Sequence, residues 1–338
     1  MKATRTDVAK LAGVSTATVS NVLNDPDKVK DETIERVTAA IRQLNYRPNM
    51  IARSLSTRRT MQIGIVLEDI RNPYYGEIVE HFEDAAREKG YFVNICTGIK
   101  NLDHYFDNFI TRGLDGAFVA ALPYKFDMDR LYNLVEHDIR VTISGNTNAE
   151  LRRVSMIEND YITAMREAMR YLADLGHKNI AYLSGLGKEL SYDVRCRAYL
   201  DCVAELGLPC EDSLLISGQK PYHTDVREGY RQAIRLLDSG KRFTAAICGN
   251  DLMAIGAMRA FAERGLSVPR DVSVMGFDGI DIGRYLSVPL TTMAVDKKEF
   301  GEKAFELLYH NIVNNITGFY LNRLIFTEGK STARPNRR

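Results

Sequence analysis

The 338-residue sequence predicts a multidomain chain: an all-α helix-turn-helix head at 1–48, a linker at 49–60, and an α/β body at 61–338 of two doubly wound lobes. Three observations predict it. Residues 6–24, TDVAKLAGVSTATVSNVLN, set apolar side chains at helical spacing on either side of Gly13. From Met61 onward, apolar runs of strand length alternate with amphipathic helical patterns, and this alternation runs through twice, over about 61–160 and 161–290. Charge is divided to match: residues 1–60 hold eleven Lys/Arg against six Asp/Glu, a net of +5, whereas the remainder carries −4. A basic head on a mildly acidic body is expected where only the head meets a polyanion.

In the head, Thr6 is expected to cap the first helix, with Asp7 near its positive end. Val8, Leu11 and Ala12 share an apolar stripe, Ala9 leaves room for a crossing helix, and Gly13 sits where a helix end needs positive φ. Ser15 then caps a second helix whose Val19, Val22 and Leu23 face inward. Its outward positions, Thr16, Ala17, Ser20 and Asn21, are small and polar. Such a face fits a major groove, where Asn reaches adenine and Ala or Thr a thymine methyl. A third helix follows Asp31, with Ile34, Val37, Ile41 and Leu44 at helical spacing. Residues 49–60, NMIARSLSTRRT, are too few for a stable isolated helix, yet combine Met50, Ile51, Ala52 and Leu55 with Arg53, Arg58 and Arg59. A minor groove opened by an inserted leucine would partner these apolar residues.

In the body, strands are expected at Gln62–Leu67, Tyr91–Ile95, Gly116–Ala120, Val141–Ser144, Ile180–Ser184, Ala245–Gly249 and Ser273–Phe277. Helices fill most gaps, among them Tyr74–Lys89, Tyr161–Leu175, Asp251–Arg264 and Lys297–Asn314. The expected lobes are about 61–160 with 292–318, and about 161–291 with 319–330. Parallel sheets covered by helices bind ligands beyond the carboxyl ends of their strands, and a cleft between two lobes suits a hinge-closing receptor.

Composition excludes several classes. At 45% hydrophobic and 26% charged residues the chain is neither disordered nor fibrous. It has no apolar run of the roughly 18–20 residues that span a membrane, and MKATRTDVAKLAG lacks a secretory h-region, so a cytoplasmic protein is expected. Five cysteines without a C-x-x-C pair favour neither a disulfide framework nor a zinc site. The GKS of EGKST (328–332) would need glycine where Leu324 stands to be a phosphate loop, and GLGK at 185–188 meets Tyr182 and Glu189 instead of the required residues. No catalytic constellation, metal site or cofactor is expected.

GVSTATVSNVLN followed by LNYRPNMIARSL resembles the lactose-repressor/galactose-repressor (LacI/GalR) family of bacterial transcription regulators. RNPYYGEIVEHFEDAAREKGY, YLADLGHKNIAYLSG, CGNDLMAIGAMRAFAERGLSVPRDVSVMGFDGID and VPLTTM resemble the family's periplasmic-binding-protein-like core. The resemblance implies an operator-binding regulator, a repressor rather than an activator, controlled by a small effector held between the lobes. It implies DNA contacts from Thr6, Ser15, Thr16, Ala17, Thr18, Asn21 and Tyr46, and a hinge helix at 49–57 in which Ala52 and Arg53 touch DNA and Leu55 enters the minor groove. For the effector it implies Glu68, Asp69, Tyr74, Tyr75, Ser191, Arg195, Asn250 and Asp278, each close to a strand end. Two departures stand out: Gly145-Asn146 replaces the Asp-Arg often found there, and Val295 replaces a polar residue.

The charges on this set suit a neutral, hydroxyl-rich ligand, so an unphosphorylated mono- or oligosaccharide is expected over a sugar phosphate or purine. A transport receptor would account for the body alone, and a sugar enzyme would need catalytic groups the sequence does not supply. No leucine heptads follow the final strand, so the expected assembly is a homodimer on a pseudo-palindromic operator, associated with the nucleoid when bound.

Overall fold

The computed structural model describes residues 3–47, 54, 59–123, 125–145, 149–186, 190–209, 214–218 and 223–336, without the side chains of Asn24 and Ser191. The chain divides into two compact units, Met1–Thr60 and Met61–Arg338.

The first unit holds three helices, α1 (Arg5–Ala12), α2 (Thr16–Asn24) and α3 (Asp31–Gln43). Val8, Ala9 and Ala12 of α1 pack with Val19 and Val22 of α2, Val37 and Ala40 of α3, and Tyr46. Gly13 ends α1 at φ +66°, a left-handed conformation that costs an L side chain about 1–2 kcal/mol. Two expectations are corrected. Thr4, not Thr6, caps α1: Asp7 N–H donates to the Thr4 hydroxyl at 3.3 Å, and Thr4 N–H to the Asp7 carboxylate at 2.9 Å. This reciprocal box satisfies two orphan donors and leaves Thr6 exposed inside the helix. Leu11 lies outside the core, 46% exposed.

The second unit contains two six-stranded sheets. In chain order its elements begin with β1 (Gln62–Leu67), α4 (Pro73–Glu88), β2 (Phe92–Thr97), α5 (Leu102–Arg112), β3 (Gly116–Val119), α6 (Met128–Glu136), β4 (Arg140–Ile143) and β5 (Ser155–Asn159). There follow α7 (Tyr161–Asp174), β6 (Ile180–Ser184), α8 (Val194–Glu205), β7 (Leu215–Ser217), α9 (Val226–Asp238), β8 (Ala245–Cys248), α10 (Asp251–Glu263), β9 (Ser273–Asp278) and β10 (Thr291–Ala294). The chain closes with α11 (Lys297–Asn314), β11 (Phe319–Asn322) and β12 (Ile325–Thr327).

One sheet runs β11-β5-β4-β3-β1-β2 and the other β12-β10-β9-β8-β6-β7. All neighbours are parallel except β12, which pairs antiparallel with β10. Both lobes thus repeat one doubly wound order with its switch point beside the first strand, β1 in one lobe and β6 in the other. The wholly apolar cores of these strands follow from burial on both faces. Ile63, Ile65 and Leu67 of β1 are fully buried, as are Ala245, Ala246 and Ile247 of β8.

The lobe boundaries late in the chain need correction. β10, within the stretch assigned to the first lobe, joins the second lobe's sheet beside β9, with Asp278 opposite Ala294. β11, assigned to the second lobe, pairs with β5 in the first, with Asn322 opposite Asn159. The chain therefore crosses between lobes after β5, between β10 and α11, and between β11 and β12. The EGKST tail is structural: Ser331 Oγ donates to the Val274 carbonyl at 2.6 Å and accepts from Thr291 N–H at 2.8 Å.

Candidate functional site

The head presents one surface of interest. Ser15 caps α2, its Oγ accepting from Thr18 N–H at 3.0 Å and lying 2.9 Å from the Thr18 hydroxyl. These two side chains hold each other at the helix start. Thr16, Ala17 and Asn21 lie exposed on the face away from Val19 and Val22. Tyr46 is buried in the head's core, so its ring serves packing. Ala52, Arg53 and Leu55 lie outside the described residues.

In the body, the carboxyl ends of both sheets converge on a cluster of acids, tyrosines and one arginine. Asn72 caps α4 by accepting from Tyr74 N–H, and Pro73 at the first helical position fixes the entry. This start brings Tyr74 and Tyr75 together edge-to-face at 5.1 Å, both buried. Tyr75 donates its hydroxyl to Glu68 Oε2 at 3.1 Å. Desolvation pushes the Glu68 carboxyl up to about 7 despite that hydrogen bond. Tyr74 Oη accepts from Asn159 Nδ2 at 3.0 Å, and the same amide donates to Tyr161 Oη at 3.2 Å. Asn159 is held in turn by Asn322 Nδ2, which donates to its Oδ1 at 2.9 Å across the β5–β11 pair.

Arg195 lies with its guanidinium carbon 4.5 Å from the Tyr161 ring centroid and donates from Nη1 to the Gly249 carbonyl at 2.8 Å. Asp193 caps α8 and also accepts from Tyr182 at 2.9 Å and Ser184 at 2.6 Å. Its carboxylate is 3.6 Å from Arg195 Nε. Burial opposes the Arg195 charge, but the surrounding Tyr182, Tyr161, Asp193 and Asp278 raise its pKa well above the usual arginine value.

Asp278 ends β9 at φ +103°, in the left-handed half of backbone space, and is 4% exposed. Gly279 follows at φ +68°, where a Cβ would come within 2.4 Å of Ala294 Cβ. The Asp278 carboxylate accepts no hydrogen bond from any described side chain or backbone N–H. Burial drives its pKa well above the carboxylate range; Asp251 and Glu68 add to that, and Arg195 and Lys297 oppose it. Asp251 is buried below it, accepting from Thr292 Oγ1 at 2.6 Å and Ile280 N–H at 2.9 Å, with its carboxyl pushed up to about 7 by desolvation. Glu158 is likewise pushed to about 7 by burial while accepting from Gly145 N–H at 2.8 Å.

Of the eight expected effector residues, the structure gathers Glu68, Tyr74, Tyr75, Arg195 and Asp278. Asp69 is turned to Arg71, which grips it with both Nε and Nη2, the latter at 2.7 Å; these bonds hold its carboxyl below the usual range. Asn250 is engaged by the protein, its Oδ1 capping α10 at Met253 N–H and one N–H of its Nδ2 donating to the Thr224 carbonyl. Ser191 sits in the single turn Leu190–Tyr192. Sequence reasoning missed Asn159, Tyr161, Asp193, Asp251 and Lys297. Asn159 ends β5, a strand not expected, whereas Tyr161 opens the expected helix α7 and Asp193 sat in view between Ser191 and Arg195. Among the described residues no group of three or more His, Cys, Asp or Glu is placed to hold a metal ion, and no helix is long and apolar enough to cross a membrane.

Comparison with known proteins meets this geometry from outside. Residues 4–49 match the model for bacterial regulatory proteins of the lacI family, and residues 169–331 that for a periplasmic binding protein-like domain. The HTH-type transcriptional repressor PurR of Histophilus somni (strain 129Pt) is 34% identical over 317 residues, covering 92% of each chain. The lac repressor dimer bound to operator and the anti-inducer ONPF superimposes with a TM-score of 0.83 at 25% identity, covering 98% of this chain and all of that one. The transcriptional regulator CelR in complex with cellobiose gives a TM-score of 0.71 at 25% identity, over 97% of this chain and 99% of that one.

Proposed function

Because this chain belongs to the lacI family of bacterial regulatory proteins, and is a DNA-binding transcriptional repressor and not an enzyme, we propose that a neutral, hydroxyl-rich effector controls its hold on DNA. The effector is an unphosphorylated mono- or oligosaccharide, bound among Glu68, Tyr74, Tyr75, Arg195 and Asp278. One observation carries this reading: a buried Asp278 carboxyl that accepts no hydrogen bond from the described residues, set among further acids and near Arg195. A donor-rich ligand satisfies that acceptor, Arg195 donates to a ring or hydroxyl oxygen, and a tyrosine covers an apolar sugar face. A phosphate would meet Glu68, Asp251 and Asp278 at close quarters, which desolvation makes costly. The CelR–cellobiose complex supports the same class.

The relatives named PurR, at 34% identity, favour a second reading in which the cleft takes a purine. A thermal-shift and calorimetric panel of monosaccharides, cellobiose, sugar phosphates, guanine and hypoxanthine separates the two. Saturable binding of a neutral sugar supports the first reading; tight binding of a base or a sugar phosphate alone rejects it.

The head reads the operator through Thr16, Ala17 and Asn21, with Ser15 and Thr18 at the helix start and Leu55 as the minor-groove lever. The protein acts in the cytoplasm, at the nucleoid when bound, as a homodimer on a pseudo-palindrome. Exposed apolar residues of the body, Phe92 and Ile95 in one lobe and Ile282 and Tyr285 in the other, support self-association. A monomer or a tetramer in light scattering at micromolar concentration contradicts it.

A further inference from the structure

Lys297 is the first residue of α11, a poor place for a cation. The helix N-terminus is its positive end, and Asp296 already caps it by accepting from Glu299 N–H at 2.9 Å. The lysine is nevertheless buried, 8% exposed, so something else must hold its charge. Its Nζ donates to the Gly279 carbonyl at 2.7 Å and the Asp278 carbonyl at 3.1 Å, with the Val295 carbonyl at 3.5 Å. A fourth oxygen, Glu77 Oε2, lies 3.5 Å away.

The origin of these oxygens matters more than their number. α11 packs on α4 and against the first lobe's sheet, so Lys297 and Glu77 both belong to that lobe. Asp278, Gly279 and Val295 lie at the carboxyl edge of the second lobe's sheet. Glu77 follows Tyr74 and Tyr75 within the first turns of α4, and Asp278 is the buried acid of the candidate site. One ammonium thus joins the helix that carries the tyrosines to the turn that carries the acid.

We propose that Lys297 is an interlobe pin, a positioning residue that holds the left-handed Asp278–Gly279 turn to the first lobe and so transmits what happens at Asp278 to the angle between lobes. Two consecutive residues with positive φ are costly unless their surroundings hold them, and the lysine grips both of their carbonyls. A buried cation serving packing alone would find its acceptors within one lobe. The role as a relay rests on the effector reading above, whereas the pin itself does not.

Hydrogen exchange read by mass spectrometry on the full chain, without effector, tests the pin. Lys297→Met keeps the length of the side chain and removes the charge. Exchange is expected to rise about tenfold or more in two separated segments together, 279–283 of the second lobe and 74–78 of the first. The α9–α10 pair and the head remain as protected as before. Lys297→Arg restores much of the protection in both segments, and Glu77→Gln gives a smaller paired rise. A rise confined to one lobe, or spread evenly over the body, overturns the proposal. If Lys297→Met fails to fold, Glu77→Gln decides alone: a paired rise supports the pin, and no change in either segment refutes it.

Discussion

Replacing Asp278 by Asn is expected to make the unliganded protein more stable and less responsive. The amide matches the carboxylate in size, and Asn tolerates a positive φ as well as Asp does. Above its raised pKa the wild-type carboxylate is a buried charge without a hydrogen-bond partner among the described residues, and close to Asp251 and Glu68. Replacing buried charge with neutral groups stabilises proteins by about 1–4 kcal/mol, and Arg195 and Lys297 offset part of it here, leaving about 1–2 kcal/mol. For a body of this size that raises Tm by about 2–6 °C. The effector, by contrast, loses a charged acceptor worth about 1.5–3 kcal/mol, so its Kd rises about 10- to 150-fold.

The sign of the pH dependence follows from the raised pKa. A carboxyl whose pKa is higher folded than unfolded contributes stability that is fully present below the unfolded value, near 4, and is lost as pH rises through the folded value. Asn does not titrate, so the advantage of the variant should grow as pH rises through the raised Asp278 pKa and shrink on acidification. Thermal denaturation from pH 5 to 8, with calorimetry of the effector found in the panel, measures both effects. A variant less stable than wild type at pH 8, with effector affinity unchanged, would refute the assignment of Asp278 as an acceptor kept for ligand.

Further outcomes are expected. Glu68 and Asp251, each at about 7 in the folded protein, should make the unliganded wild type gain stability as pH falls from 8 to 6, seen as a rising Tm. Gly256→Ala puts a Cβ 2.0 Å from the Val226 carbonyl oxygen where α9 and α10 cross, and should cost about 1–3 kcal/mol in denaturant unfolding. Asn21→Ala should weaken operator binding by about 1–3 kcal/mol while leaving non-specific DNA binding intact in mobility-shift titrations. Leu55→Ala should weaken operator binding and remove central distortion in footprinting without affecting dimerisation; affinity in wild type should fall with salt at a slope of roughly −0.9 per neutralised phosphate.

The parts legible in the sequence are those specified by near neighbours. Gly13, the Ser15 cap and the spacing of Val19, Val22 and Val37 define the head locally. The α1 cap was legible too, since Thr4 stands three residues before Asp7, the spacing a capping box needs, whereas Thr6 does not. Central strands such as β1, β8 and β9 announce themselves as apolar runs because both faces are covered. β7, β11 and β12 are three or four residues long at sheet edges, and their lobe is decided by a partner far away: β11 finds β5 some 160 residues earlier. The same holds at the site. Acids at strand ends could be picked out, but the Asn159 bridge to Tyr74 and the grip of Lys297 on Gly279 join residues that no local pattern connects.

What the cluster leaves unused constrains the ligand more than what it contains. Asn250 commits its carbonyl and one N–H within the protein, Asp69 is held by Arg71, and Arg195 gives one N–H to Gly249 and lies over Tyr161. Among the described residues, Asp278 offers both carboxyl oxygens and Glu68 one, while Arg195 keeps N–H groups beyond the one given to Gly249. The complementary ligand therefore brings N–H or O–H groups to the carboxyl oxygens and an oxygen to the arginine. A phosphate brings acceptors for Arg195 but sets its negative charge among the surrounding acids. A purine supplies donors along part of its edge and a flat face, whereas a sugar supplies hydroxyls around its whole rim. The oxygens to be satisfied come from both lobes, Glu68 from one and Asp278 from the other, so a ligand with donors around its rim also draws the lobes together. Occupancy of the site and the angle between lobes then become a single equilibrium, which is what an effector needs in order to alter the grip on DNA.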